Sequence, residues 1–154
     1  MKFNLKSTKE IEESISRVVE ICKENNLVFT EIRQKVFEII IEHTKPIKAY
    51  EILDDLTKIL GKSSHPPIVY RAIDFLIENG FIHKLNSINS YVGCFHPKIH
   101  KECYFLICKK CNIYQECCDK NLTDNIFKTA DKRDFIVSNT TLEIEGHCQG
   151  CVQK

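Results

Sequence analysis

The stretch from Pro66 to Cys94, "PPIVYRAIDFLIENGFIHKLNSINSYVGC", decides how the first part of the chain folds. Its two prolines suit the first turn of a helix, where a missing N–H leaves no bond unmade. Gly80 suits the end of that helix. At roughly 100° per residue, Val69, Ala72, Ile73 and Leu76 fall on one side, and Pro67, Tyr70, Arg71, Asp74 and Glu78 on another. "FIHKLN" and "SYVGC" then read as the two strands of a hairpin. Upstream, "AYEILDDLTKIL" is a helix with Ile52, Leu53, Leu56 and Leu60 facing inward and Gly61 closing it. Before it, Thr30 caps a helix carrying Ile32, Val36 and Ile40, which Pro46 interrupts. "STKE" (Ser7–Glu10) is a capping box that opens a first helix, with Ile11, Ile15, Val18 and Cys22 at helical spacing. Three helices, a fourth helix and a hairpin make a winged helix-turn-helix pattern.

After Cys94 the character changes. "CYFLIC" and "NIYQECC" read as strands, "LTDNIFKTADKR" as a short helix, and "FIVSNTTLEIEG" as a long strand. The expected fold is α+β: a winged-helix DNA-binding domain over 1–92, a hinge over 93–100, and a small α/β dimerisation and metal-binding domain over 101–154. So few core positions call for a metal staple and a second subunit.

The totals set limits. The 154 residues carry 43% hydrophobic and 28% charged side chains, as in ordinary globular proteins. The formal net charge is only +1, so a DNA-binding surface must be a local patch. The start of the chain has no apolar core for a signal peptide. No apolar run is long enough to span a bilayer. The expectation is a cytoplasmic protein without membrane or small-molecule partners, whose thiols stay reduced. Nine cysteines, an odd number, fit poorly with a closed disulfide framework.

Metal binding is the better account of the two C-x-x-C pairs, Cys108/Cys111 and Cys148/Cys151. A two-residue gap lets a tight turn aim both sulfurs at one ion, and two such pairs give a closed, structural four-thiolate zinc site. Cys22, Cys103, Cys117 and Cys118 read as small buried apolar residues. A second group of donors gathers around the hinge: His83, Cys94, His96, His100 and Glu116. A sulfur, imidazoles and a carboxylate also suit zinc.

With "AYEILDDL", the 66–94 stretch, "ICKKC", "QEC" and "GHCQGC", the chain resembles the zinc uptake regulator branch of the ferric uptake regulator family from about Leu27 to Cys151. The resemblance implies a dimeric, metal-dependent DNA-binding repressor of metal-acquisition genes, here zinc-acquisition genes, with two zinc ions per subunit. Cys108, Cys111, Cys148 and Cys151 match the structural ligands. His83, Cys94 and Glu116 match the regulatory ligands. For the fourth, His100 is favoured over His96 because it is nearer the next strand.

For DNA, Arg71 can pair bidentately with a guanine edge. Tyr70 suits a phosphate or a thymine methyl. Tyr50 matches a DNA-contacting tyrosine of the family, and Arg33 and Lys84 are candidate phosphate contacts. A homodimer implies a palindromic operator. The rival within the family is an iron, manganese or peroxide sensor. The rival of another class is a thiol–disulfide oxidoreductase using Cys108 and Cys111, which needs a βαβ setting that the flanking strands do not offer.

Overall fold

The structure is a computed structural model that describes residues 7–61, 63–138 and 140–153; the side chains of 98–100 lie outside the description. The chain divides into two compact units, Met1–Phe95 and His96–Lys154.

The first unit contains helices α1 (Thr8–Glu24), α2 (Glu31–Glu42), α3 (Ala49–Leu60) and α4 (Pro66–Glu78), followed by strands β1 (Ile82–Leu85) and β2 (Ser90–Gly93). The local signals act as expected. The Ser7 backbone N–H donates to Glu10 Oε2 at 2.8 Å, and the Glu10 N–H donates back to Ser7 Oγ at 3.3 Å. Thr30 Oγ1 accepts from the Arg33 N–H at 3.3 Å. Gly61 and Gly80 end their helices at φ +63° and +71°, in the left-handed region open to glycine.

Strands β1 and β2 pair antiparallel, with His83 opposite Val92. Ile47 and Tyr91 exchange backbone hydrogen bonds of 3.0 and 2.8 Å, which pins the α2–α3 connection to the hairpin. The core is one continuous cluster, with Phe37, Ile40, Ile52, Leu56, Ile73, Leu76 and Phe81 fully buried. At Gly93 the hairpin runs against α2: an added Cβ would stand 3.0 Å from Ile41 Cγ1.

The second unit opens with a 3-10 turn (Pro97–Glu102). Strands β3 (Cys103–Cys108) and β4 (Tyr114–Cys118) follow, then helix α5 (Lys120–Asp131), strand β5 (Leu142–Gly146) and the four-residue helix α6 (Gln149–Val152). The strand order is β4-β3-β5. Strands β3 and β4 are antiparallel, whereas β5 runs parallel to β3. A parallel neighbour needs a crossover, which α5 supplies. Among the described residues of this unit, only Cys103, Phe105, Ile107, Cys108 and Thr123 are buried.

Two readings of the sequence need correction. The long strand expected over 135–146 is only Leu142–Gly146. β3 pairs with Leu142–Gly146, the described residues of the earlier part lie outside that ladder, and Ile136 is 93% exposed. The thiols are also not all separate, since Cys103 and Cys118 form a disulfide across β3 and β4.

Leu56 is fully buried. Leu56→Ala should therefore leave a cavity and lower the unfolding free energy by about 2–5 kcal/mol in chemical denaturation. The Tyr50 side chain is largely exposed. Tyr50→Ala should change the same quantity by about 0.5 kcal/mol or less. Equal losses would contradict this packing.

Candidate metal centres and nucleic-acid interface

The turn between β3 and β4 is built to present sulfur. The Asn112 N–H donates to the Cys108 carbonyl and the Cys108 N–H to the Ile113 carbonyl, both at 2.9 Å, and Asn112 takes φ +56°. The Lys109 N–H reaches across to the Gly146 carbonyl at 2.9 Å, so the end of β5 delivers the second pair to the first. The sulfurs of Cys108, Cys111, Cys148 and Cys151 all lie within 4.8 Å of one another, and Cys111 Sγ stands 3.8 Å from Cys148 Sγ. Tetrahedral zinc thiolates with bonds of about 2.3 Å place their sulfurs about 3.8 Å apart, so the donor set fits that ion.

The electrostatics of the four thiols are uneven. The Cys148 N–H donates to Cys108 Sγ at 3.3 Å. With the N–H groups of Cys111 and Lys110, it lowers the Cys108 pKa to about 5. Hydrogen bonds to the charged form are what favour it. Cys151 is pushed up to about 12, chiefly by its hydrogen bond with Cys148 and then by burial. The Cys108 thiolate forms readily, whereas Cys151 meets a penalty on losing its proton. A cation would remove that penalty.

The hinge donors divide between the two units. In the first unit, His83 on β1 and Cys94 just after β2 are both buried, with ligand atoms within 4.8 Å of each other. The Cys94 N–H donates to the Phe81 carbonyl at 2.9 Å, which fixes it beside the hairpin. In the second unit, His96 Nδ1 stands 3.7 Å from Glu116 Oε2, and the Glu116 side chain is only 6% exposed. The same unit brings Cys103 and Cys118 to this pair, making a second four-donor group that the sequence reading missed. A signal was available: a ladder centred on the Lys110–Cys111 turn sets Cys103 opposite Cys118. The His100 side chain lies outside the described residues.

On α4, Val69, Ala72, Ile73, Phe75 and Leu76 are buried, while Pro67, Tyr70, Arg71 and Asp74 are exposed. This is the outward face the sequence predicted, and it begins at the helix N-terminus. Tyr50 and Lys84 are exposed as well. Arg33 is different. Its guanidinium carbon lies 3.8 Å from the Phe75 ring centroid, and Nη1 donates to the Val28 carbonyl. It holds the start of α2 against α4, a packing role absent from the sequence reading.

Fold and donor sets together define a winged-helix protein with a cysteine-rich second unit and a four-thiol candidate metal centre. The sequence model of the ferric uptake regulator family matches residues 24–145, and the chain belongs to that family. It is 35% identical over 144 residues to the zinc uptake regulation protein of Escherichia coli (strain K12), covering 92% of this chain and 83% of that protein. It superposes on the crystal structure of holo XcZur with a TM-score of 0.84 at 38% identity, covering 91% of this chain and 97% of that one. A zinc uptake regulator complexed with zinc and DNA gives a TM-score of 0.84 at 32% identity, covering 96% and 97%.

In reduced protein stripped of metal, thiolate absorbance in the ultraviolet should already be present at neutral pH. Cys108 should then lose its charge only as the pH falls through about 5. A first thiolate appearing only near the ordinary cysteine value of about 8.5 would contradict the N–H···S arrangement.

Proposed function

We propose that this chain is a zinc-responsive transcriptional repressor that acts in the cytoplasm as a homodimer. The zinc-loaded dimer binds palindromic operator DNA and represses zinc-acquisition genes. The observation that carries the reading is its likeness, along 96% of the chain, to a zinc uptake regulator complexed with zinc and DNA.

Two zinc ions per subunit are proposed. Cys108, Cys111, Cys148 and Cys151 would hold the structural ion, and the convergence of their sulfurs supports this. His83, Cys94, Glu116 and either His100 or His96 would hold the regulatory ion. Zinc supplies, when bound, one centre that prefers four donors in a tetrahedral set. The chain supplies the rest. His83 is held by the hairpin ladder and Cys94 by the Phe81 carbonyl, so the first unit offers its two donors without rearrangement. Glu116 and the hinge histidines follow the Phe95–His96 boundary in sequence. Gathering donors from both sides selects one arrangement out of those the hinge allows, and with it one spacing of the two recognition helices.

On DNA, α4 would enter the major groove by its N-terminal half. Arg71 would take a guanine edge, Tyr70 a phosphate or thymine methyl, and Tyr50 and Lys84 the backbone. Arg33 keeps its place on Phe75 and is left out of the proposed contacts.

Arg71→Ala should weaken operator binding by about 1–3 kcal/mol per half-site in a fluorescence-anisotropy titration, while binding to random DNA changes little. Equal weakening on both DNAs would make it a phosphate contact. Cys148→Ser should lose the structural zinc by elemental analysis and with it dimerisation or folding. A folded, metal-free dimer would reject the staple. Cys94→Ser should remain a folded dimer that keeps the structural ion yet gains no DNA affinity on adding zinc. An unchanged zinc response would overturn the regulatory set.

A further inference from the structure

Cys103 and Cys118 have no part in the function proposed above, yet the fold places them with care. They face each other in the β3–β4 ladder. Glu116 lies two residues from Cys118 on the same strand, so all three side chains stand on one face of the sheet. His96, just before the 3-10 turn, brings its ring to Glu116. The donor atoms of His96, Cys103, Glu116 and Cys118 lie within 4.8 Å of one another, all inside the second unit. The site is anchored at both ends: the Asp119 N–H donates to the Glu102 carbonyl at 3.0 Å, and Asp119 caps α5.

We propose that these four residues form a further, thiol-dependent metal site for a zinc-class divalent cation. Two thiolates, an imidazole and a carboxylate make a soft-to-borderline set of four, the number a tetrahedral ion takes. The Glu116 carboxylate is almost fully buried. Ionised beside it, the two thiols would put three negative charges in one pocket, and a dication offsets most of that charge. The site exists in the dithiol form. In the disulfide form present here, both sulfurs have given up their donor role. The two forms interconvert by exchange with a low-molecular-weight disulfide. As the metal departs, one of the two thiolates attacks the small disulfide and expels its first thiolate; the other then attacks the mixed disulfide, closing the Cys103–Cys118 bond and expelling the second, so the two electrons lost by the protein leave on two small thiolates that take protons from water. Glu116 also belongs to the proposed regulatory set, as does His96 where it takes the place of His100, so the two ions compete for shared donors.

The test uses the full chain carrying Cys94→Ser, which removes the regulatory thiol and makes the outcome independent of the zinc response. The four-cysteine set is left filled with zinc, which cobalt displaces poorly because zinc, with no geometric preference from d-electrons, enters a tetrahedral thiolate site without the ligand-field loss that cobalt meets. Cobalt(II) is then added to phosphine-reduced protein. The expected result is one cobalt per chain with thiolate-to-cobalt charge-transfer absorption. That band should be lost in Cys94→Ser/Cys103→Ala and in Cys94→Ser/Cys118→Ala, and on adding oxidised glutathione. Oxidation should also lower the protein mass by two hydrogens. Retention of the first zinc reports that each variant is folded, and serine at 103 or 118 replaces alanine where it is not. No thiolate band in reduced Cys94→Ser, or a band that survives loss of either cysteine, would overturn the site.

Discussion

The second unit depends on how its four C-x-x-C sulfurs are brought together. Its sheet has three short strands and buries few apolar side chains, notably Phe105 and Ile107. So small a core rarely stabilises a unit by more than a few kcal/mol. What closes it is the meeting of the β3–β4 turn with the segment after β5, through the Lys109 N–H on Gly146 and the Cys148 N–H on Cys108 Sγ. Those contacts gather four ionisable thiols at separations suited to ion binding. Without a cation, the same geometry favours the Cys108 thiolate and disfavours the Cys151 thiolate. An ion held by this set would link its own binding to the folding of the unit.

The first unit has no such need. Its helices bury a continuous apolar cluster, and the exposed face of α4 is a consequence of that packing. Val69, Ala72, Ile73 and Leu76 must face inward, which leaves Tyr70, Arg71 and Asp74 outside at the helix start. The stacking of Arg33 on Phe75 adds a polar clamp between α2 and α4. This exposed face is held in place by the packing of its own unit.

Much of this was legible in the sequence, where local chemistry decides. The Ser7–Glu10 box, the Thr30 cap, Gly61, and the prolines opening α4 each fixed a helix end through a hydrogen bond or a backbone angle confined to neighbouring residues. The spacing of the cysteine pairs pointed to their convergence for the same reason. Long-range matters were less legible. Alternation over 135–146 suggested one strand, but a strand exists only where a partner ladder runs beside it, and β3 is six residues long. Phe135 and Ile136 are left largely exposed. Arg33 read as a candidate phosphate contact, and its place on an aromatic ring was not legible because nothing local foretells a partner so far along the chain, at Phe75.

The cysteines divide into two kinds by geometry rather than by count. In the Cys108–Cys111 turn, N–H groups point at the Cys108 sulfur, and the two sulfurs converge with those of Cys148 and Cys151 without bonding to each other. Opposite residues on neighbouring strands are held face to face instead, and Cys103 and Cys118 reach each other directly. The same closeness lets them share an ion once reduced, provided other donors complete the set, as His96 and Glu116 do in position. Cys117, one residue along, pairs with Tyr104. Its side chain stands on the opposite face of the sheet and has no route to that group. The adjacent cysteines of "QECC" thus have different chemistry available to them because a strand turns successive side chains to opposite sides.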